Sequence, residues 1–404
     1  MISRAWTPGF SFLPTVVHLK LNYITSAMSA KYIPTIASQS LGRARYHCLE
    51  HKLSLCEQYG FESIELFFED LDGVANSLPA SHPPSPPGTS FASSSNAQEK
   101  QVAAARYIHE LCIRHKLDIL CLQPFMHYEG RLDAASHQAA IQNLHFWIRL
   151  AHILGTDLIQ IPSTFLPASE ITGNREKIVA DLREAAQIGL QSSPPIRFAY
   201  EALCWGTHID TWDAAWSIVL EVNQPNFGTC IDTFNLAGRV FADPASATGL
   251  TPNAYQEIQK TIAKLRTELP SAIEKIFYVE VCDGERLDQP LLPGHEWYRP
   301  EQPPRMSWSR NARLFPFENP GYLPALEILE AVCEAGYTGP ISFELFSRTA
   351  NMSDKEVPKE HAQRAATAWR KLERYMKWNH WATPSEGESS YVPSQGYTSC
   401  FSPC

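Results

Sequence analysis

At 404 residues and 44% hydrophobic content, the chain can bury one large core or two to three average domains. A net charge of −9 without a cluster of Lys or Arg excludes a nucleic-acid footprint, and no run reaches the ~18 apolar residues of a membrane span. Ten cysteines without a C-x-x-C pair exclude a disulfide framework and a structural zinc site, and read as reduced packing thiols of a cytoplasmic protein.

In chain order, the first acid is Glu50, and an acid-free, mildly basic leader has the composition of a mitochondrial presequence. Pro8 and Pro14 interrupt any amphipathic helix there, basic residues are sparse (Arg4, Lys20), and Met28 is the more natural start. Residues 1–31 are therefore expected to form a poorly ordered extension. From 32 to 380, short apolar or β-branched runs alternate with longer helical patterns. The runs that read as strands are Ile33–Ser38, Ser63–Phe67, Leu117–Leu122, Leu158–Ile161, Ile196–Glu201, Phe227–Asp232, Lys275–Val281 and Pro340–Leu345. Between them, Leu49, Leu53 and Cys56 keep helical spacing, as do stripes through Ala135–Leu154, Ile178–Leu190 and Leu323–Val332. Gly60, Gly155 and Gly336 close helices shortly before the next strand. Strand–helix alternation repeated eight times predicts an α/β fold, a parallel (β/α)8 TIM barrel over 32–380, with its active site at the carboxyl ends of the strands. The Pro- and Ser-rich segment 78–98 is expected to be a flexible loop after the second strand, and 381–404 a disordered tail.

Four of these runs deliver an acid at or near the carboxyl end: Glu201, Asp232, Glu280 and Glu344. A carboxylate after a buried apolar run is costly unless something pairs with it. One such acid is ordinarily a cap or a salt bridge, but four on successive barrel strands converge on one point. Oxygen-only ligation of that kind suits Mg²⁺, Mn²⁺ or a similar hard cation. In the long connection after the seventh strand, Arg305-Met306-Ser307-Trp308-Ser309-Arg310-Asn311-Ala312-Arg313 interleaves arginines with serines. It reads either as a clamp for an anionic group, since guanidinium binds carboxylate bidentately, or as a solvated basic loop. Gln123 closes the third strand, and His208, beyond the fifth, is a candidate general base or a capping residue.

The stretches Ser40-Leu41-Gly42-Arg43, Ile64-Glu65-Leu66-Phe67, Leu122-Gln123-Pro124-Phe125, Tyr200-Glu201-Ala202-Leu203-Cys204-Trp205-Gly206, Ile231-Asp232-Thr233-Phe234-Asn235 and Phe343-Glu344-Leu345-Phe346-Ser347-Arg348 together resemble the fungal 3-dehydroshikimate dehydratases of quinate catabolism. These are members of the xylose isomerase-like barrel superfamily. The likeness runs in order from about residue 33 to 378, and its Met-Ser-Trp-Ser-Arg and Glu-Leu-Phe-Ser-Arg pieces are specific. It implies a divalent cation on Glu201, Asp232, Glu280 and Glu344, and substrate contacts at Ser309 and Arg313. Two positions depart from the family pattern. The third ligand is usually Gln or His and here is Glu280. Bacterial members carry a histidine three residues after the Asp ligand, where this chain has Asn235, and an amide takes no proton at neutral pH. Either His208 or a water bound to the cation is then expected to serve as base, or activity is expected to be reduced.

The expectation is a cytoplasmic hydro-lyase that converts 3-dehydroshikimate to protocatechuate with Mg²⁺, Mn²⁺ or Co²⁺. Arg313 with Ser309, helped by Arg310 or Arg348, would hold the substrate carboxylate, with Gln123 as a further contact. Neither nucleic acid nor membrane is an expected partner, and a homo-oligomer is compatible with the reading. The alternatives are a sugar isomerase or epimerase on the same barrel, and a non-catalytic barrel that binds a metabolite.

Overall fold

The computed structural model describes residues 32–78 and 92–378. The expected extension 1–31, the middle of the Pro/Ser segment and the expected tail 381–404 lie outside the described residues. Eight parallel strands close a barrel: β1 (Tyr32–Ala37), β2 (Ser63–Phe67), β3 (Asp118–Gln123), β4 (Leu158–Pro162), β5 (Arg197–Glu201), β6 (Phe227–Asp232), β7 (Ile276–Glu280) and β8 (Gly339–Phe343). They neighbour one another in chain order, and β8 returns to β1 through pairs such as Ile36↔Phe343. The first helices are α1 (Leu49–Gln58), α2 (Phe68–Ser77), α3 (Ala92–Arg114), α4 (Ala134–Leu154), α5 (Arg175–Gln191) and α6 (Trp212–Val222). The remainder are α7 (Thr233–Val240), α8 (Ala254–Glu268), α9 (Pro304–Ala312), α10 (Ala325–Glu334) and α11 (Val357–Tyr375). None of the helices among the described residues is long and apolar enough to cross a membrane.

Alternation along each strand makes two cores. Ile159, Ile161, Phe198, Tyr200, Ile231 and Val279 belong to the large core shared with the helices. Their sequence neighbours Leu158, Ala199, Cys230 and Tyr278 form a separate small core with Cys121, as successive side chains point to opposite faces of a strand. Helix ends follow the sequence signals: Asp133 caps α4 by accepting from the Ser136 N–H (2.7 Å), and Gly155 ends that helix with φ +78°.

Two expectations are corrected. Residues 92–98 of the expected loop 78–98 belong to α3, because the prolines stop at Pro87 and the residues beyond Ala92 are compatible with a helix. The eighth strand ends at Phe343 rather than Leu345: the Ser40 hydroxyl donates to the Phe343 carbonyl (3.1 Å) and accepts from the Leu345 N–H (2.7 Å), so a side chain replaces the ladder there. The connection after β7 is tied down by an antiparallel ribbon, Asp283–Gly284 against Arg313–Leu314.

Candidate functional site

The period-two rule that builds the small core also builds the site. Two residues beyond Cys121, Leu158, Ala199, Cys230 and Tyr278 stand Gln123, Gln160, Glu201, Asp232 and Glu280, and Glu344 follows Ser342 by the same step. All six are buried, so a polar layer caps the apolar one at the carboxyl ends of the strands. Asp232 pairs in register with Glu280, which sets those two acids side by side, and Glu280 pairs with Ser342, two residues before Glu344. Asp232 is also the N-cap of α7, its Oδ1 accepting from the Phe234 (2.7 Å) and Asn235 (3.3 Å) N–H groups.

One carboxylate oxygen from each of Glu201, Asp232, Glu280 and Glu344 lies within 4.8 Å of the others. Second partners orient three of them. Asn235 Nδ2 donates to Glu201 Oε1 and Asp232 Oδ2, both at 2.7 Å, while the Asn235 Oδ1 accepts from the Cys204 N–H. Gln160 donates to the other oxygen of Glu201. Gln39 (3.3 Å) and Gln123 (3.2 Å) donate to Glu344. Glu280 is different: it is fully buried, and both its oxygens lack a hydrogen-bond partner among the described residues. The Glu65 carboxyl beside it becomes a donor only when protonated. Burial pushes the Glu201 and Glu280 carboxyls well up, with the neighbouring acids adding to it. Glu344 rises to about 8 through burial, against the pull of Arg313. Four acids against one guanidinium, with neither oxygen of Glu280 hydrogen-bonded among the described residues, fit a hard divalent cation with an oxygen donor set.

Arg313 is fully buried at this layer. Its Nη1 donates to Asp232 Oδ2 (2.8 Å) and Glu344 Oε2 (3.0 Å), and its Nε to Ser309 Oγ (3.1 Å). The faces of Phe234 and Phe346 lie 4.4 and 5.3 Å from its guanidinium carbon. The expected Ser309–Arg313 pairing is present, but Arg313 turns to the acids as their counter-ion. Above it opens a cavity of about 620 Å³ with Gln123, Gln160, Glu201, Glu344, Ser309 and Arg313 at its inner end. Phe67, Phe165, Trp205 and Phe346 wall it, and Arg43, Arg45, Glu69 and Arg310 also line it.

Two expected residues stand elsewhere. His208 is exposed beside Gly173 and does not line the cavity, because the loop after β5 turns at Gly206 and carries it outward. Arg348 also lies off the lining: it pairs with Glu285 and stacks on Trp297 at 5.2 Å. Asn235 lies in direct contact with the acids but as a donor, so it positions them and takes no proton. Sequence reasoning passed over Gln39, Gln160, Arg43 and Glu69 as site residues. Gln160 carried the same signal as Gln123, an amide at the end of an apolar strand, and Arg43 follows the first strand on the face that any such barrel uses.

A family model described as xylose isomerase-like TIM barrel matches residues 53–372. A 3-dehydroshikimate dehydratase of Neurospora crassa is 49% identical over 362 residues, which is 89% of this chain and 97% of that protein. A protein of the same name from Pseudomonas aeruginosa is 29% identical over 243 residues, covering 60% of this chain and 31% of its own length. Among solved structures, an IOLI protein with a binding zinc atom superposes with a TM-score of 0.58 at 18% identity, covering 87% of this chain and 100% of that one. At that identity the likeness is one of fold.

Proposed function

The chain belongs to the xylose isomerase-like TIM barrel family, and from that premise we propose that it dehydrates 3-dehydroshikimate to protocatechuate, using a divalent cation held by Glu201, Asp232, Glu280 and Glu344. The meeting of four strand-end acids, one with both oxygens unpartnered among the described residues, two of which (Glu201 and Glu344) line a cavity also lined by arginines, carries this reading. Likeness to the Neurospora crassa enzyme over nearly its whole length supports the substrate.

In this reaction the proton on the carbon next to the ring ketone leaves, the hydroxyl on the following carbon departs as water, and loss of a second ring proton to the ketone oxygen completes the aromatic diol. A cation bound at the acids supplies Lewis-acid polarisation of the ketone, with Mg²⁺, Mn²⁺ and Co²⁺ suited to the oxygen donors. The chain's own residues do the rest. Asn235, Gln39, Gln123 and Gln160 fix the carboxylates in orientation, and Arg313 balances Asp232 and Glu344. Phe67, Phe165, Trp205 and Phe346 give the ring apolar walls that exclude water. Among the described residues that line the cavity there is no histidine, and the acceptors for the proton that the chain brings there are carboxylates: Glu69, Glu201 and Glu344.

The arginines favour a carboxylated ring over the neutral sugar of an isomerase or epimerase. The unpaired thiols among the described residues support a reducing, cytoplasmic setting. Ultraviolet detection of protocatechuate formed from 3-dehydroshikimate, with and without a chelator, tests the proposal. Turnover should vanish on chelation and return with Mn²⁺, Mg²⁺ or Co²⁺. Turnover that survives complete metal removal would overturn the cation assignment, and binding without turnover would make the barrel a metabolite sensor.

A further inference from the structure

The cavity holds two sets of charges that serve different ends. Arg313 is committed to the acids through Nη1 and to Ser309 through Nε, and it is fully buried between two aromatic faces. Arg43, Arg45 and Arg310 also line the cavity and are solvent-accessible, with Glu69 as the carboxylate among them. Arg43 rides on the loop after β1 and pairs with Glu69 through Nε (3.1 Å) and Nη2. Arg310 comes from α9, and its Nη1 is bonded to a neutral acceptor, Gln302 Oε1 (2.9 Å). Partial burial, and then the charge of Arg43, draw the Arg310 pKa down, so the two guanidiniums sense each other. The lining as a whole carries Arg43, Arg45, Arg310 and Arg313 against Glu69, Glu201 and Glu344, and neither Arg45 nor Arg310 pairs with a carboxylate among the described residues, so these two guanidiniums are open to an added anion.

We propose that Arg43 and Arg310 anchor the substrate's carboxylate at the outer part of the cavity, and so turn its ketone and hydroxyls toward the acids. The assignment rests on the dehydratase reading for its substrate, and it gives Arg313 a different task, that of holding Asp232 and Glu344. The anchor is a specificity device. Guanidinium reads a carboxylate through two parallel bonds, and a ring without one leaves the cations unmatched.

Protocatechuate and catechol share the diol and differ by the carboxylate, which makes them matched probes. Calorimetry on the full chain with Mn²⁺ should show tighter binding of protocatechuate. Arg310→Ala and, separately, Arg43→Ala should weaken protocatechuate by roughly 5–50-fold, the range of a partly screened charge-assisted bond, and leave catechol unchanged. The KM for 3-dehydroshikimate should rise by the same factor with kcat within about 3-fold, as for lost uniform binding. Arg310→Lys should recover part of the loss by restoring charge without the fork. Equal weakening of both probes, or unchanged protocatechuate binding in both alanine variants, would overturn the anchor. If the wild type fails to turn over 3-dehydroshikimate while protocatechuate binding still depends on Arg43 and Arg310, the dehydratase reading falls and the anion anchor stands.

Discussion

Replacing Glu280 with Gln removes one charge from the acid cluster and keeps its shape. Glu280 is fully buried, its oxygens lack hydrogen-bond partners among the described residues, and burial with Glu344, Glu65, Glu201 and Asp232 around it pushes its pKa well up. Two carboxylate oxygens at 4.8 Å repel by about 3.5 kcal/mol per charge pair at an effective dielectric constant of 20, so the metal-free fold keeps some of these acids protonated. Glu344 behaves in the same way, its pKa raised by burial to about 8. Such carboxyls bind protons more tightly in the folded chain than in the unfolded one. Their contribution to stability is full below the ordinary value of 4.5 and is lost as pH rises through about 8. In EDTA, the wild-type Tm should therefore fall between pH 5 and pH 8. Glu280→Gln should fall less and stand about 2–5 °C above wild type at pH 8, for a gain of ~1–3 kcal/mol. Saturating Mn²⁺ should reverse the order, because the wild type gains more from a ligand that binds only the folded state. Differential scanning calorimetry at both pH values, with EDTA and with Mn²⁺, measures all of this. A Glu280→Gln protein less stable than wild type in EDTA at pH 8 would refute the charge-repulsion argument.

His208→Ala should leave kcat within about 2-fold, whereas a positioned general base is worth roughly 10²–10⁴-fold; steady-state kinetics decide. Asn235→Ala removes the amide that holds Glu201 and Asp232 and should weaken Mn²⁺ binding by roughly 10–100-fold, read by calorimetry, without loss of fold. Lys52 is fully buried, its Nζ donating to Asp70 Oδ1 (2.6 Å) and to the Ser38 and Gly42 carbonyls that carry the loop to Arg43. Lys52→Met leaves Asp70 buried without its counter-ion, with the Ser38 hydroxyl still donating to Oδ2 (2.7 Å), which should cost about 3–5 kcal/mol in denaturant unfolding, with Lys52→Met/Asp70→Asn recovering part of it.

The sequence alone determined the barrel and the four acids that meet at its strand ends. Short apolar runs separated by amphipathic helices with terminal glycines have one economical closed arrangement, so the strand order needed no long-range information. The acids were legible because a charge at the end of a buried strand is anomalous on its own line of text, and the period of two fixes which face it meets. Gln160 was legible by the same argument and was overlooked, since an amide signals less loudly than a charge. What the tertiary structure decided were the contacts made between distant segments. Arg313 and Arg310 sit three residues apart in one basic stretch, yet one is fully buried against Asp232 and Glu344 and the other lines the open cavity. His208 and Arg348 had suitable chemistry and reached the wrong places, one turned outward after Gly206 and the other paired with Glu285. Arg43 lies 267 positions before Arg310 and shares its cavity because β1 closes the barrel against β8. Strand periodicity is a local property of the backbone and can be read residue by residue. The direction of a long side chain in a loop depends on which charges and ring faces the closed barrel brings within its reach.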